Sequence, residues 1–106
     1  MHTGEYIKKT QPKIFSIGSN KEILNAYAGD FLSFVMGRAK DKCIWFTVMN
    51  NINVAGVAVL IDCTCIVLCE NTQPDQNLIN KCSDNGITLL STDKPVYEAC
   101  IQFSLL

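Results

Sequence analysis

The sequence has little of what most catalytic and anion-binding sites depend on. Histidine occurs once, as His2 near the terminus, which excludes a mechanism built on an internal imidazole. Arginine also occurs once, as Arg38, so a phosphate clamp of several arginines is excluded. Nine basic and ten acidic residues give a formal net charge of −1. A chain without a positive excess is not typical of a general nucleic-acid binder, and we predict no nucleic-acid partner.

Long hydrophobic runs and a secretory leader are missing as well. The longest apolar run covers residues 54–61, far short of the ~20 residues that a membrane span needs. Residues 1–9 contain no apolar stretch of the kind found in signal peptides. We therefore expect no membrane association and a cytoplasmic location. In that reducing setting the six cysteines are expected to be free thiols.

The cysteine spacing does not favour a metal site, because the chain has no C-x-x-C pair. Cys63 and Cys65 in an extended strand would lie about 6.6 Å apart, since each residue rises ~3.3 Å. Thiolates that share a tetrahedral metal must lie within about 4 Å of each other. We predict no metal and no cofactor, and keep a thiol redox or metal protein as a third class. Small apolar core positions are expected for Cys43, Cys65, Cys69, Cys82 and Cys100.

What the chain does have is apolar content, 48% of 106 residues, enough for one domain with a single core. We predict an N-terminal tail at residues 1–12 and a domain at residues 13–106. Strand patterns cover residues 13–17, 43–48, 64–69 and 87–90. Four helices are predicted: one that begins at Gly29 and Asp30, two at residues 54–61 and 75–84, and a last one that follows residues 91–93. Residues 21–27 are expected to form a short helix or turn.

This alternation of strands and helices predicts an α/β fold. Strands joined by helical crossovers are parallel, so the sheet is expected to be small and mostly parallel, with about four strands in a two-layer or three-layer domain. Core patterns include the aromatic residues Phe31, Phe34, Trp45 and Phe46. The last helix is expected to bury a stripe of apolar side chains: Val96, Tyr97, Cys100, Ile101 and Phe103.

Polar residues gather where the strands lead into helices. In open α/β sheets, ligands bind beyond the carboxyl ends of the strands. Neutral amides and hydroxyls suit hydrogen bonding to a base, sugar or phosphate, whereas no nucleophile lies beside a base, so we predict no enzymatic activity. The alternative is that these residues only cap helices and form turns, Asp30 and Asn53 as N-caps among them. The candidate ligand-binding residues are Asp30, Thr47, Asn50, Asn51, Asn53, Asn71, Thr72, Ser91 and Thr92.

The order of several motifs resembles the DRTGG-domain family, in particular its small stand-alone members. Residues 29–36 (GDFLSFVM), 45–48 (WFTV) and 53–60 (NVAGVAVL) are similar to the family patterns G-D-L-L-S-x-V-M, W-x-T and N-x-x-A-V-A-x-L. Pro74 and residues 86–92 (GITLLST) fit the same pattern. The resemblance extends from about Ile14 to Phe103. Family members often have Gln and His where this chain has Met49 and Asn51, so a role for that imidazole is in doubt here.

The resemblance implies an α/β domain of the kind found beside CBS domains in regulated pyrophosphatases, similar to the N-terminal domain of HPr kinase/phosphorylase. Stand-alone members are bacterial or archaeal and are sometimes encoded near iron-hydrogenase genes. We therefore expect a non-catalytic regulatory module, homodimeric, that senses a nucleotide or another small metabolite. The alternative is an interaction module without a small-molecule site, with a hydrogenase-related or other electron-transfer partner.

Overall fold

The computed structural model describes residues 1–19 and 21–106 of the chain. Within these residues it has five helices and five strands. The helices are α1 (Thr3–Thr10), α2 (Leu32–Arg38), α3 (Ile52–Leu60), α4 (Gln76–Asp84) and α5 (Val96–Ser104). The strands are β1 (Lys13–Ser16), β2 (Asn25–Ala28), β3 (Cys43–Thr47), β4 (Cys65–Leu68) and β5 (Thr88–Ser91). The predicted α/β class is confirmed, with one more strand than expected.

The strands form a single sheet in the order β1-β5-β4-β3-β2. β2, β3, β4 and β5 are parallel, whereas β1 pairs antiparallel with β5, with Lys13 opposite Ser91. Every residue of the three central strands is buried. Such continuous burial is typical of a sheet that is covered on both faces, which explains why these strands are apolar without alternation.

Helices cover both faces of the sheet, so the domain has three layers. The crossovers from β2 to β5 each step to the neighbouring strand in the same direction, and right-handed crossovers of that kind place their helices on one face. Val35 of α2, Val54 of α3 and Leu78 of α4 accordingly share one core cluster. Tyr6 of α1 and Ala99 of α5 belong to the cluster on the opposite face.

The prediction of a short helix or turn at residues 21–27 is wrong, because Asn25–Ala28 form the edge strand β2. Ala26 and Ala28 have little intrinsic preference for strand. Pairing with β3 determines the conformation here, and Tyr27 packs half-buried against the core. Local propensity could not reveal a partner strand that lies further along the chain.

Residues 1–12, predicted as an N-terminal tail, contain the helix α1. Tyr6 is 1% exposed, and its ring lies 6.0 Å from that of Phe103. An antiparallel bridge between His2 and Glu22 also holds the terminus against the domain. The burial of Tyr6 against Phe103 therefore helps to order a segment whose sequence is mostly polar. The domain boundary at Lys13 stays a prediction.

Three helix starts differ from the predicted caps. Phe31 is the N-cap of α2, in place of Asp30, and Pro95 is the N-cap of α5. Asn51 caps α3, since its side chain accepts a hydrogen bond of 2.9 Å from the backbone N–H of Asn53. Asp75 caps α4 by accepting from the N–H of Leu78 at 2.7 Å. The helix predicted at residues 54–61 is confirmed as α3 (Ile52–Leu60), although Val59 and Leu60 are exposed.

Some residues predicted for the core are exposed. Phe31 and Phe34 pack edge to face on each other, and the guanidinium of Arg38 covers the Phe34 ring at 3.9 Å, so these two rings pair at the surface. On α5, Tyr97 and Ile101 are also exposed, because the helix buries only the side that carries Ala99. Among the six free cysteines, Cys43, Cys63, Cys65, Cys69 and Cys82 are buried and Cys100 is half-buried.

Candidate functional site

The carboxyl edge of the sheet gathers the polar loops. Because β2, β3, β4 and β5 are parallel, the loops that follow them all leave from this edge. The antiparallel strand β1 starts at the same edge, which brings the turn after α1 and Lys13 to it. The site therefore draws on segments from both ends of the chain.

The loops after β4 and β5 diverge to opposite faces of the sheet. The loop after β4 leads to α4, whose Leu78 and Cys82 belong to one core cluster. The loop after β5 leads to α5, whose Ala99 belongs to the other. Adjacent parallel strands whose connections leave in opposite directions open a crevice between the loops, and in α/β sheets this is where ligands bind.

A polar cleft of about 430 Å³ lies at this position. Its walls come from the turn between α1 and β1, the loops after β4 and β5, and the outer side of α5. The lining residues are Thr10, Gln11, Pro12, Lys13, Asn71, Ser91, Thr92, Asp93, Lys94 and Gln102. The volume lies within the ~300–1,000 Å³ range typical of small-molecule sites.

Hydrogen bonds between the two loops fix the wall of the cleft. The N–H of Asn71 donates to the carbonyl of Thr92 at 2.8 Å, and the N–H of Glu70 donates to the carbonyl of Lys94 at 2.9 Å. The buried hydroxyl of Ser91 donates to the carbonyl of Thr72 at 3.0 Å. Glu70 and Asn71 have left-handed backbone conformations, with φ of 58° and 56°. These contacts hold in place a turn that an isolated loop would rarely adopt.

Gln73 connects the cleft to the neighbouring loops. Its side-chain amide donates to the carbonyl of Asn71 at 3.1 Å, and its Oε1 accepts from Nζ of Lys13 at 3.1 Å. The amide of Asn50 donates to the carbonyl of Gln73 at 2.9 Å. Lys13 is thereby oriented by a neutral acceptor, which leaves its positive charge uncompensated by this contact.

The charges at the cleft favour an anion. Lys13 and Lys94 contribute two positive charges and Asp93 one negative charge. Lys94 lies two residues before the first residue of α5, and Glu98 lies in the first turn of that helix. The hydroxyl and amide groups of Thr92 and Asn71 add neutral hydrogen-bonding capacity. The arrangement suits a polar ligand that carries phosphate or carboxylate.

The structure divides the predicted ligand-binding residues into three groups. Asn71, Ser91 and Thr92 line the cleft, and Thr72 supports its wall. The second group lies between β2 and β3, where Oδ1 of Asp30 accepts from the hydroxyl of Thr47 at 2.7 Å and from the N–H of Val48 at 2.9 Å.

Asn50 joins the second group to the cleft through Gln73, whereas the third group, Asn51 and Asn53, lies at the start of α3. Helix capping accounts for the hydrogen bond of Asn51, whereas Asp30 and Asn50 hydrogen-bond to residues that are distant in the sequence. Ligand contact by any of these residues stays a prediction.

Sequence reasoning missed several residues of the cleft region. They are Gln11, Lys13, Gln73, Lys94 and Gln102. Lys94 directly follows the predicted segment at residues 91–93, so its charge was a usable signal. Lys13 reaches the carboxyl edge only because β1 is antiparallel, and no local pattern reveals strand direction.

Two further properties concern metal binding and membrane insertion. Among residues 1–19 and 21–106, no group of three or more His, Cys, Asp or Glu side chains could hold a metal ion. None of the helices described is both long and apolar enough to cross a membrane.

No protein-family model and no curated protein matches the chain. A solved structure is similar: the CBS and DRTGG domains of the regulatory region of Clostridium perfringens pyrophosphatase, complexed with the activator diadenosine tetraphosphate. It covers 93% of this chain with a TM-score of 0.77 and 10% sequence identity. This chain covers 44% of the length of that one. The likeness supports a DRTGG-like fold, as the sequence resemblance predicted, and at this identity it shows the fold alone.

Proposed function

We propose that the protein is a non-catalytic regulatory module that binds a small phosphorylated metabolite in the polar cleft, with an adenine nucleotide as the first candidate. The cleft between the loops after β4 and β5 is the observation that carries this proposal. The similar pyrophosphatase region is regulatory and was solved with a nucleotide activator, which supports the same class of function for this fold.

The residues of the cleft suit binding better than catalysis. The described lining residues include amides, hydroxyls, two lysines and Asp93, without a histidine or a cysteine. A general acid–base mechanism needs a titratable pair placed on either side of a reacting bond. Asp93 and the lysines can instead neutralise and orient a ligand, so we propose that the protein is not an enzyme.

Different parts of a nucleotide would contact the charged and the neutral groups of the cleft. Lys13 and Lys94 would contact phosphate oxygens as point charges. Thr92, Asn71 and Gln102 would hydrogen-bond the ribose or the base. Since Gln73 already orients Lys13, less side-chain freedom would be lost on binding.

Calorimetric titration with ATP, AMP and diadenosine tetraphosphate tests the proposal. We expect saturable binding that weakens with salt, and about a tenfold loss of affinity for each of Lys13→Ala and Lys94→Ala, roughly the contribution of one charge-assisted hydrogen bond. Lys81→Ala removes the same charge from α4, whose lysine is exposed and does not line the cleft, and should leave affinity unchanged.

Adenosine provides the matched ligand control, because it retains the base and the ribose but has no phosphate. It should bind much more weakly than AMP if the lysines read phosphate. Equal affinity for adenosine and AMP would refute phosphate recognition. Absence of heat and of a thermal shift at millimolar nucleotide, with folded protein, would remove the nucleotide proposal.

The second candidate is a protein–protein interaction module, and a homodimer is part of either proposal. An apolar groove of about 300 Å³ lies between the edge strand β2 and α5, with Ala26, Ala28 and Phe103 among its lining residues. Beside it, Tyr97 and Leu105 of the α5 region are 76% and 80% exposed. A partner from the hydrogenase or electron-transfer proteins rests on the sequence resemblance alone. The six free thiols support a cytoplasmic setting.

Sedimentation velocity over a wide concentration range tests the dimer. We expect a dimer that dissociates on dilution, and Tyr97→Ser should weaken it by removing exposed aromatic area. Lys81→Ser on the exposed side of α4 is the matched surface control. A monomer at all concentrations would contradict the dimer and leave the ligand proposal to the calorimetric test.

A further inference from the structure

We propose that Cys43 and Cys63 form a site of reversible oxidation, at which hydrogen peroxide joins the two thiols into an intramolecular disulfide. The site lies where β3 and β4 begin, at the edge of the sheet opposite the polar cleft. It does not depend on the proposed ligand. The proposal adds a chemical role to two residues whose burial is otherwise explained by core packing.

Backbone pairing places the two residues next to each other. Cys43 is the first residue of β3, and its carbonyl accepts from the N–H of Thr64 at 3.0 Å and from Sγ of Cys63 at 3.4 Å. The backbone next to Cys63 therefore lies one strand spacing, ~4.8 Å, from that of Cys43, and the two α-carbons are near neighbours. Disulfides span α-carbon distances of roughly 4.4–6.8 Å. No large movement of the strands is required.

Both side chains lie on the same face of the sheet. Cys43 and Cys63 belong to the core cluster that contains Trp45, whereas Cys65 belongs to the cluster on the opposite face. The left-handed conformation of Asp62, with φ of 55°, turns the chain just before Cys63. In a regular strand, residues two apart point to the same face. The turn at Asp62 breaks this pattern, so Cys63 and Cys65 point to opposite faces of the sheet.

A small surface cavity leads to Cys63. It has a volume of about 100 Å³ and is lined by Cys63 together with Lys21, Asp62 and Asn85 among others. The cavity is large enough to admit small polar molecules such as water, so hydrogen peroxide fits. Cys63 is 3% exposed and Cys43 is fully buried, so the peroxide meets Cys63 first.

Contact between the two thiols makes one proton easier to remove. The hydrogen bond from the side chain of Cys63 lowers the pKa of Cys43, in spite of its burial. The same contact, together with burial, raises the pKa of Cys63 well above its usual range. Once the pair has lost one proton to solvent, the remaining proton lies between the sulfurs. These directions place the negative charge on Cys43, whose thiolate accepts the proton of Cys63 as Cys63 attacks the peroxide.

The reaction then proceeds in two balanced steps. Sγ of Cys63 attacks one peroxide oxygen, the O–O bond breaks, and hydroxide leaves, which gives a sulfenic acid on Cys63. Sγ of Cys43 attacks that sulfur, the S–O bond breaks, and the second oxygen leaves as water once it has taken up protons. In total, two thiols and one hydrogen peroxide give one disulfide and two waters. A dithiol reductant reverses the oxidation by exchange.

Peptide mapping of the folded protein after peroxide treatment tests the site. We expect a product lighter by two hydrogen atoms, with a cross-link between Cys43 and Cys63 that a reductant removes. Its rate of formation should rise about tenfold for each pH unit while the thiolate fraction increases. Cys63→Ser should abolish the cross-link. Cys82→Ser, at a buried cysteine of α4, should leave it unchanged.

Other products of the same experiment would overturn the proposal. Oxidation confined to the half-buried Cys100, a cross-link between any other pair, or a Cys43–Cys63 cross-link that forms only in denaturant would each do so. The map of the unmodified protein decides these outcomes even if Cys63→Ser fails to fold. Circular dichroism before the treatment confirms that the folded state was tested.

Discussion

Replacement of Trp45 by alanine is expected to lower the free energy of unfolding by about 4 kcal/mol, near the upper end of single core substitutions. Trp45 is fully buried in the central strand β3, and its side chain is the largest in the core. Its indole N–H also donates to the carbonyl of Gly29 at 2.9 Å. Since small domains are stable by only about 5–15 kcal/mol, the variant should be largely unfolded well below the melting temperature of the parent protein.

Trp45→Phe separates the two contributions of the indole. The variant keeps most of the apolar volume but leaves the carbonyl of Gly29 without its donor, which costs about 1–3 kcal/mol. Leu60→Ala is the surface control, because Leu60 is 74% exposed on α3 and its truncation should change stability by no more than about 0.5 kcal/mol. Urea denaturation measures all three. Equal losses for Trp45→Ala and Leu60→Ala would contradict the burial of Trp45.

Alkaline pH is expected to unfold the protein, because several thiols must stay protonated in the native state. Burial raises the pKa of Cys69 and of Cys82 from 9.0 to about 12. Burial also raises the pKa of Cys65. All three side chains are completely buried, and an ionised sulfur there would lose its hydration. The native protein therefore holds protons that the unfolded chain releases from about pH 9.

The direction of the effect follows from proton counting. The unfolded state binds fewer protons than the native state between pH 9 and about 12, so stability is fully retained below pH 9 and falls as the pH rises. Each such thiol contributes a slope of about 1.4 kcal/mol per pH unit. Three thiols give about 4 kcal/mol per pH unit. A domain of ordinary stability would then unfold by about pH 11.

Urea denaturation in reductant at a series of pH values measures this slope. Cys82→Ala should reduce the slope by about one proton, because it removes one of the buried thiols. Val57→Ala is the matched control, since it also truncates a buried side chain but carries no titratable group, and it should keep the full slope. Stability that is constant from pH 8 to pH 11 would contradict the prediction.

The α/β class and most of the elements could be predicted because the apolar pattern of the sequence matches the burial of the same residues in the structure. Residues 43–48 and 64–69 are apolar without interruption, which is what burial on both faces requires, and they contain β3 and β4. The helix at residues 54–61 could be predicted from topology, because two successive parallel strands need a crossover.

The elements that sequence reasoning missed depend on distant partners. β2 consists of Asn25–Ala28, and only its pairing with β3 makes it a strand. The α1 helix is ordered by Tyr6, which packs against Phe103 at the far end of the chain. A local pattern records neither contact.

The candidate site also combines residues that could be predicted from the sequence with residues whose role depends on distant contacts. Its position at the carboxyl edge, with Asn71, Ser91 and Thr92, follows from the general behaviour of parallel sheets. The contribution of Lys13 depends on the antiparallel direction of β1, and the orientation of Lys13 depends on Gln73. Polar residues in loops also have two uses, and the sequence does not distinguish a helix cap such as Asn51 from a ligand contact.

The pairing of β1 with β5 has a consequence for the order in which the chain folds. Lys13 pairs with Ser91, so β1 has no neighbour in the sheet until the chain has been synthesised as far as β5. The parallel strands β2 to β5 each pair with the next strand along the sequence and can assemble progressively. We expect α1 and β1 to dock last, at the cost of closing a long loop. The polar cleft, one wall of which they supply, would then be complete only in the final step of folding.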